Sequence, residues 1–252
     1  MTTEYSGSGD PKRSLELLWD LQERPRRGPR PKLTVADVVA AAIAIADAEG
    51  LGALSMRRIA DRLGVAPMSI YTYVPGKAEL IDVMLDRAYG ELAPCEDDGW
   101  RRGLEHIARE HWALYHRHPW MLEIATGRPP MGPNLLDKYE RELGAVEGVG
   151  LTDIEMDATL TLVTGFAASF ARISVDLAQA ERRTGIDDAT WWETTAPLLD
   201  KVIEPGRYPL GERVGTAAGQ EHNAAVAPEH AFEFGLARVL DGLAVLIDSR
   251  RG

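Results

Sequence analysis

Cysteine is almost missing from these 252 residues. Cys95 stands alone, which excludes an internal disulfide and a Cys-rich zinc site. No H-E-x-x-H pattern occurs. His106, His111, His116 and His118 lie close in the chain, but His106 and His111 are five apart, off the i, i+4 face of a helical metal site. No metal and no cofactor is expected. The chain also lacks a G-x-S-x-G elbow, a P-loop and any aligned nucleophile–base pair, so an enzyme is the weaker reading. No run approaches 18 consecutive apolar residues, which argues against a membrane span. The first residues, MTTEYSGSGDPKR, are polar and contain no apolar signal core. Together these absences lead to the expectation of a cytoplasmic protein.

An overall excess of positive charge is lacking too. With 28 basic and 39 acidic groups the net charge is −11, which looks wrong for a nucleic-acid partner. Division by region changes the picture. Residues 24–87 hold 10 basic and 7 acidic groups, net +3, whereas residues 1–23 carry −3 and residues 88–252 carry −11. A polyanion needs only a local basic face, and an acidic body would favour docking by one end. The densest basic stretch is RPRRGPRPK at 24–32, with Arg26, Arg27 and Arg30 among its five basic residues and three prolines to keep it extended. Such an arm can lie along phosphates or enter a minor groove. Upstream of it, residues 1–23 read as a flexible tail in which 14–21 (SLELLWDL) has the pattern of a short amphipathic helix presenting Leu15, Leu18 and Trp19.

Helical signals begin at Thr34. With Asp37 it fits the S/T-x-x-D/E cap, and Val35, Val38, Val39, Ala42, Ile43 and Ala46 follow on one face until Gly50 and Gly52. Ser55 caps a second helix that turns Met56, Ile59, Ala60 and Leu63 inward and leaves Arg57, Arg58 and Arg62 outside. Gly64 suits a sharp turn at positive φ, and Pro67 suits a first helical position. A third, short helix is expected at about 66–73. A fourth starts near Gly76–Lys77 and buries Leu80, Ile81, Met84, Leu85 and Ala88. Helix, turn and short helix with exposed groups make a helix-turn-helix geometry.

The stretch AIADAEGLGALSMRRIADRLGVAPMSIYTYVPGKAELID resembles the N-terminal domain of the tetracycline-repressor (TetR/AcrR) family of bacterial transcription regulators. HPWMLEIATGRPP and AFEFGLARVLDGLAVLI resemble, more loosely, the C-terminal domain of the branch nearest the tetracycline repressor itself. The fold class that this implies is all-α. A three-helix DNA-binding head (34–92, with its connecting helix) would follow a flexible basic extension (1–33). A larger helical domain for ligand binding and dimerisation would fill 93–252. Carried over by position, the resemblance puts Arg57, Pro67, Met68, Ser69 and Tyr71 towards bases, and Thr34, Ser55, Tyr73 and Lys77 towards the DNA backbone. Arg57 could grip guanine O6/N7, and Pro67 and Met68 suit thymine methyls. Ala66 departs from the family's common Ser or Thr, giving up a cap worth about 0.5–2 kcal/mol.

Beyond residue 93 helices are expected at 99–118, 119–125, 132–148, 153–183, 187–203 and 229–248, with a mobile Gly/Pro-rich loop at 205–228. The long helix and the last one resemble the family's dimer-forming pair, and Gly235 and Gly242 would let helices approach closely. Trp112, Tyr115, Trp120, Met121, Phe166, Phe170 and Trp192 could line a ligand cavity anchored by His111 and Glu123, although such stripes also build plain core. Residues Thr126, Gly127, Arg128 and Pro129 resemble the turn that couples ligand binding to the heads. The tetracycline repressor's metal-chelating histidine before that turn has no counterpart, since Glu123 and Ile124 stand there, which argues against a tetracycline–magnesium ligand. The expected partners are therefore a palindromic DNA operator, a second copy of the chain and a small lipophilic or aromatic ligand, with no membrane. The expected function is a repressor released by that ligand. A ligand-independent regulator or an activator is the rival, and a helical enzyme the remoter one.

Overall fold

A computed structural model of the chain describes residues 4–21, 33–95, 99–204 and 206–251. Local rules set out the head. Thr34 accepts from the Asp37 amide at 3.1 Å while the Asp37 carboxylate accepts from the Thr34 amide at 2.8 Å, a complete capping box. Helix α2 (Val35–Glu49) follows and buries Val38, Val39, Ala42 and Ile45. Gly50, at φ +81°, closes it. After a single 3₁₀ turn, Ser55 caps α3 (Met56–Leu63) by accepting from the Arg58 amide. Gly64 then adopts the left-handed conformation (φ +67°, ψ +32°) that reverses the chain. The next helix, α4 (Pro67–Ile70), is shorter than expected: Ala66 offers it no side-chain cap, and residues 71–73 close as turns. Helix α5 (Lys77–Tyr89) buries its whole apolar face.

The body beyond residue 93 is built on α6 (Trp100–Arg117), α7 (Pro133–Gly144), α8 (Asp153–Thr184) and α11 (Pro228–Arg251). Two hydrophobic cores result. One fills the head and runs on through Leu114, Tyr115, Trp120, Met121, Leu122 and Ile124 to Ala171 and Val175 of α8. The other lies between α6, α8 and α11. Helix α8 has the length and apolar composition of a membrane-crossing helix, but one side of it packs against α6 and α11. Gly235 on α11 is the point of closest approach, because a Cβ there would lie 2.7 Å from the Phe166 ring. Gly242 faces open space, so only one of the two glycines serves packing within the chain.

Two expectations about irregular regions are corrected. The described residues of the N-terminal tail carry regular structure. A two-residue strand β1 (Glu4–Tyr5) pairs in parallel with β2 (Ile124–Ala125), and α1 (Pro11–Leu18) packs on α5. Asp10 caps α1 through the Lys12 and Arg13 amides, with Pro11 at the first helical position, so the helix starts three residues earlier than its apolar pattern suggests. It buries Leu17 and Leu18 and leaves Leu15 and Trp19 half-exposed. The expected loop at 205–228 contains α10 (Pro209–His222), which starts at a proline, ends at Asn223 in the left-handed conformation and leans Gly219 on the Trp192 ring of α9 (Asp188–Val202). Glycine content hid the helix; its side chains are almost all exposed and leave no apolar stripe.

Gly235→Ala should destabilise the chain by about 1–3 kcal/mol through overpacking against Phe166. Urea unfolding checks this against Gly215→Ala on α10, where nothing lies within 4 Å and the gain in helix propensity should be up to about 1 kcal/mol.

Candidate DNA interface and effector core

The head presents a small mixed surface. Pro67 and Arg57 are exposed, Met68 is 76% exposed and Tyr71 44%, while Ile70 between them is fully buried and anchors the short helix. Among the described residues no carboxylate pairs with Arg57, whereas Arg58 is bound to Glu49. Arg57, Arg58 and Arg62 share an open cleft with Ser55, Ile45, Glu49 and Asp61. Ser69 is half-buried, and its carbonyl accepts from Thr72. Tyr73 is half-buried and packs on the head core.

Three of the expected backbone contacts are already engaged. Thr34 spends its hydroxyl on Asp37, and hydrogen bonds from Thr34 hold that carboxyl below the usual range. Ser55 caps α3. Lys77 forms an ion pair with Glu4 at 2.8 Å. Arg26, Arg27 and Arg30 lie outside the described residues.

Sequence reasoning passed over the carboxylates of α5. Glu79, Asp82 and Asp86 are all buried, along one side of an otherwise apolar helix. Asp82 accepts from Ser6 Oγ (2.9 Å), the Gly7 amide (2.9 Å) and Ser14 Oγ (2.8 Å), and Glu79 accepts from the Asp10 amide at 3.0 Å. Asp86 accepts from Asn134 Nδ2 and the Leu135 amide of α7. Buried carboxylates persist only when hydrogen-bonded, so these tie the N-terminal segment and α7 to the head's last helix. Their i, i+3, i+7 spacing within an apolar helix was the available signal.

The proposed ligand-lining residues do not gather around one cavity. Trp120 and Met121 belong to the head's core, and Trp120 is fully buried with its Nε1 donating to Asp47 at 2.7 Å. Trp112 stacks on Phe232 at 4.5 Å between ring centres, and Phe166 lies 4.7 Å from Phe170, so these three pack the second core. Trp192 sits apart, against Gly219. Glu123 is half-buried, and burial raises its pKa against a stabilising bond from the Leu51 amide.

His111 does sit in a polar cluster. Its Nε2 lies 2.8 Å from Glu142, whose other oxygen accepts from Lys138 at 2.6 Å, with Lys138 also over the Tyr89 ring. Burial lowers the His111 pKa and outweighs the pull of Glu142, so the ring is neutral and donates through Nε2. Among the described residues Nδ1, also buried, has no hydrogen-bond partner. Burial opposes ionisation of Glu142, yet His111 and Lys138 together keep its pKa below normal. Tyr89 is pushed up to about 12, chiefly by burial, and Tyr115 further still for the same reason. A cavity of about 20 Å³ opens beside Lys138 and Glu142, room for one water. Among the described residues no group of three or more His, Cys, Asp or Glu is placed to hold a metal ion.

Head and body meet at residues 117–125. Asp47 of α2 accepts from Trp120 and lies 2.7 Å from His118 Nδ1. On its other side His118 faces Glu91, which also accepts from Arg117 at 2.8 Å. Burial works against the Glu91 carboxylate, but these two partners hold its pKa below the ordinary range. Arg172 of α8 donates to the Leu122 carbonyl.

Family models match two regions of the chain: "Bacterial regulatory proteins, tetR family" over residues 38–84, and "Tetracyclin repressor-like, C-terminal domain" over 93–247. The HTH-type transcriptional repressor DrrR1 of Streptomyces coeruleorubidus is 48% identical, with 100% of this chain and 92% of that protein aligned. The class C tetracycline repressor protein of Escherichia coli is 28% identical over 84% of this chain and 91% of its own. Among solved structures, apo ActR of Streptomyces coelicolor superposes with a TM-score of 0.69 at 26% identity, covering 88% of this chain and 99% of ActR. ActR in complex with actinorhodin gives 0.69 at 27% identity, covering 84% and 96%.

Two outcomes follow from the buried groups. Below about pH 6.5 the unfolded chain takes up a proton on His111 that the folded chain refuses, so stability should fall with decreasing pH. Unfolding midpoints between about pH 7.5 and 5.5 should fall less steeply in His111→Gln than in the wild type. Trp120→Phe removes a buried donor to Asp47 and should cost about 1–3 kcal/mol in denaturant unfolding.

Proposed function

The chain belongs to the tetR family of bacterial regulatory proteins, and on that premise we propose that it is a repressor that grips a palindromic operator as a homodimer and is released by a small lipophilic or aromatic molecule bound within residues 93–252. The observation that carries the reading is the exposure of Arg57, Met68 and Tyr71 on a head whose core is closed. Exposed apolar groups on a head that also exposes Arg57, unpaired among the described residues, suit a partner with thymine methyls and guanine acceptors in one groove. In this reading Arg57 reads guanine, Pro67 and Met68 meet thymine methyls, and Ser69 and Tyr71 complete the base-facing set. Thr34, Ser55, Tyr73 and Lys77 contact phosphates. At Thr34 a phosphate competes with Asp37 for the hydroxyl, so its contact is the weaker one. Arg26, Arg27 and Arg30 add affinity along the backbone or in the minor groove.

Dimerisation is supported by what α8 and α11 leave uncovered. Each packs one side into the chain's own core, yet Ile154, Leu162 and Ile173 on α8 and Phe234 and Val245 on α11 stay exposed. A second copy covering these faces would set the two heads about 34–36 Å apart, one turn of DNA. The complex of ActR with actinorhodin supports a small-molecule effector. The polar cluster of His111, Glu142 and Lys138, with a cavity of about 20 Å³ beside Lys138 and Glu142, offers such a molecule hydrogen-bonding groups within residues 93–252. Since the cavity there holds only one water, an effector must part α6 from its neighbours, and that displacement reaches the head through residues 117–125. A coupling of about 1–3 kcal/mol between the two sites would suffice for release, and it must be reciprocal. The relatives are named as regulators and repressors, the reading assigns no catalytic step, and a cytoplasmic location follows from action on DNA.

Footprinting the DNA upstream of the protein's own gene should reveal a protected palindrome that clears when a lipophilic or aromatic effector is added from a screen. A protected palindrome that no compound clears would favour a ligand-independent regulator; no sequence preference would end the regulator reading. On that operator Arg57→Ala should relax base preference by about 1–3 kcal/mol at one position per half-site. Lys77→Ala should instead weaken specific and random DNA alike and flatten the salt slope by about one unit.

A further inference from the structure

The N-terminal segment meets both halves of the molecule, and it brings a carboxylate to the place where a phosphate is expected. Strand β1 is held on β2, with the Ser6 amide donating to the Ala125 carbonyl at 3.1 Å. Three donors from Ser6, Gly7 and Ser14 converge on the buried Asp82. Just upstream of these fixings, strand pairing sets Glu4 opposite Ile124. Its carboxylate lies 2.8 Å from Lys77 Nζ, with both side chains about one-third exposed. Lys77 is the first residue of α5, where the positive end of the helix adds to the ammonium charge and deepens the attraction for an anion.

We propose that Glu4 is an intramolecular stand-in for a DNA phosphate: in the free protein it occupies Lys77, and DNA must displace it, so the N-terminal strand lowers the head's affinity for every duplex. The inference rests on the phosphate-contact role given to Lys77 above. The exchange is anion for anion at one ammonium, and Lys77 is paired in both states. Its cost to binding is the free energy of a part-exposed ion pair, which corresponds to about 1.5- to 5-fold in affinity. Because β1 takes its register from Ile124–Ala125, the body of the protein, and not the head alone, sets where Glu4 stands.

The test uses the full chain and a labelled duplex of random sequence, since a phosphate contact is blind to sequence. Binding is measured by fluorescence anisotropy for the wild type, Glu4→Gln, Lys77→Ala and the double variant, with thermal unfolding to verify that all four fold. Glu4→Gln should bind about 1.5- to 5-fold more tightly than the wild type, and the gain should vanish in the Lys77→Ala background. If Lys77→Ala weakens binding but Glu4→Gln leaves it unchanged, the stand-in is overturned while the phosphate contact survives. If Glu4→Gln tightens binding equally in both backgrounds, removal of one negative charge explains the gain and the proposal falls. If Lys77→Ala has no effect on binding, the phosphate role fails and takes the proposal with it.

Discussion

Asp47 is the carboxylate at the centre of the junction between the DNA-reading head and residues 117–125 of the body. It sits on α2, the helix around which the head's core is built, and it receives Trp120 Nε1 while facing His118. Trp120 is fully buried, so its N–H has no water to turn to, and loss of the bond would strand a donor in apolar surroundings. Around that bond the segment 117–125 is fixed from every side: by Glu91 below α5, by Arg172 from α8 and by β1 along its edge. The hydrophobic core follows the same path without a break, from Val38 and Ile59 through Trp120 to Val175. Packed interiors transmit displacement instead of absorbing it, and in the proposed function this segment is the route by which a change between α6 and α8 tilts the head.

The same economy governs DNA reading. The head carries few hydrogen-bonding readers, and two of its hydroxyls are committed to capping helices. Arg57 without a carboxylate partner among the described residues, Pro67, Met68 and Tyr71 face outward, and in the proposed role this set favours apolar contact and DNA shape over a dense hydrogen-bond code. Charge is arranged to match. The basic residues of 24–87 lie on a chain whose remainder is strongly acidic. Attraction is therefore confined to one end, and there Glu4 moderates it further at Lys77.

How much of this could be read from the sequence depended on range. Thr34 with Asp37, Ser55, Gly64 and Pro67 obey rules that act within a few residues, and the helix starts and the turn they specify are those observed, while α4 ends earlier, at Ile70. The pattern of a short helix in the N-terminal segment was legible, but its docking was not, because what holds it lies about 70 residues away: Ser6, Gly7 and Ser14 meet Asp82, and no local pattern announces a hydrogen bond of that separation. The Lys77–Glu4 pair was hidden for the same reason. The aromatic stripe was legible as helix but not as lining, since Trp112, Phe166 and Trp120 at helical spacing look alike whether they face a cavity, another ring or Asp47. Helix α10 was masked by its own glycines, being a helix that buries almost nothing. Family membership, by contrast, was plain in residues 44–82 alone.

The central claim is that head and body move as one unit through the Asp47–Trp120 junction. Native-state hydrogen exchange as a function of denaturant measures this directly, because it assigns an opening free energy to each amide. The amides of α2 and those of residues 120–125 should share one opening free energy and one dependence on denaturant. If the amides of α2 exchange through a lower-energy opening while those of 120–125 stay protected, the head is hinged freely on the body and the account is wrong.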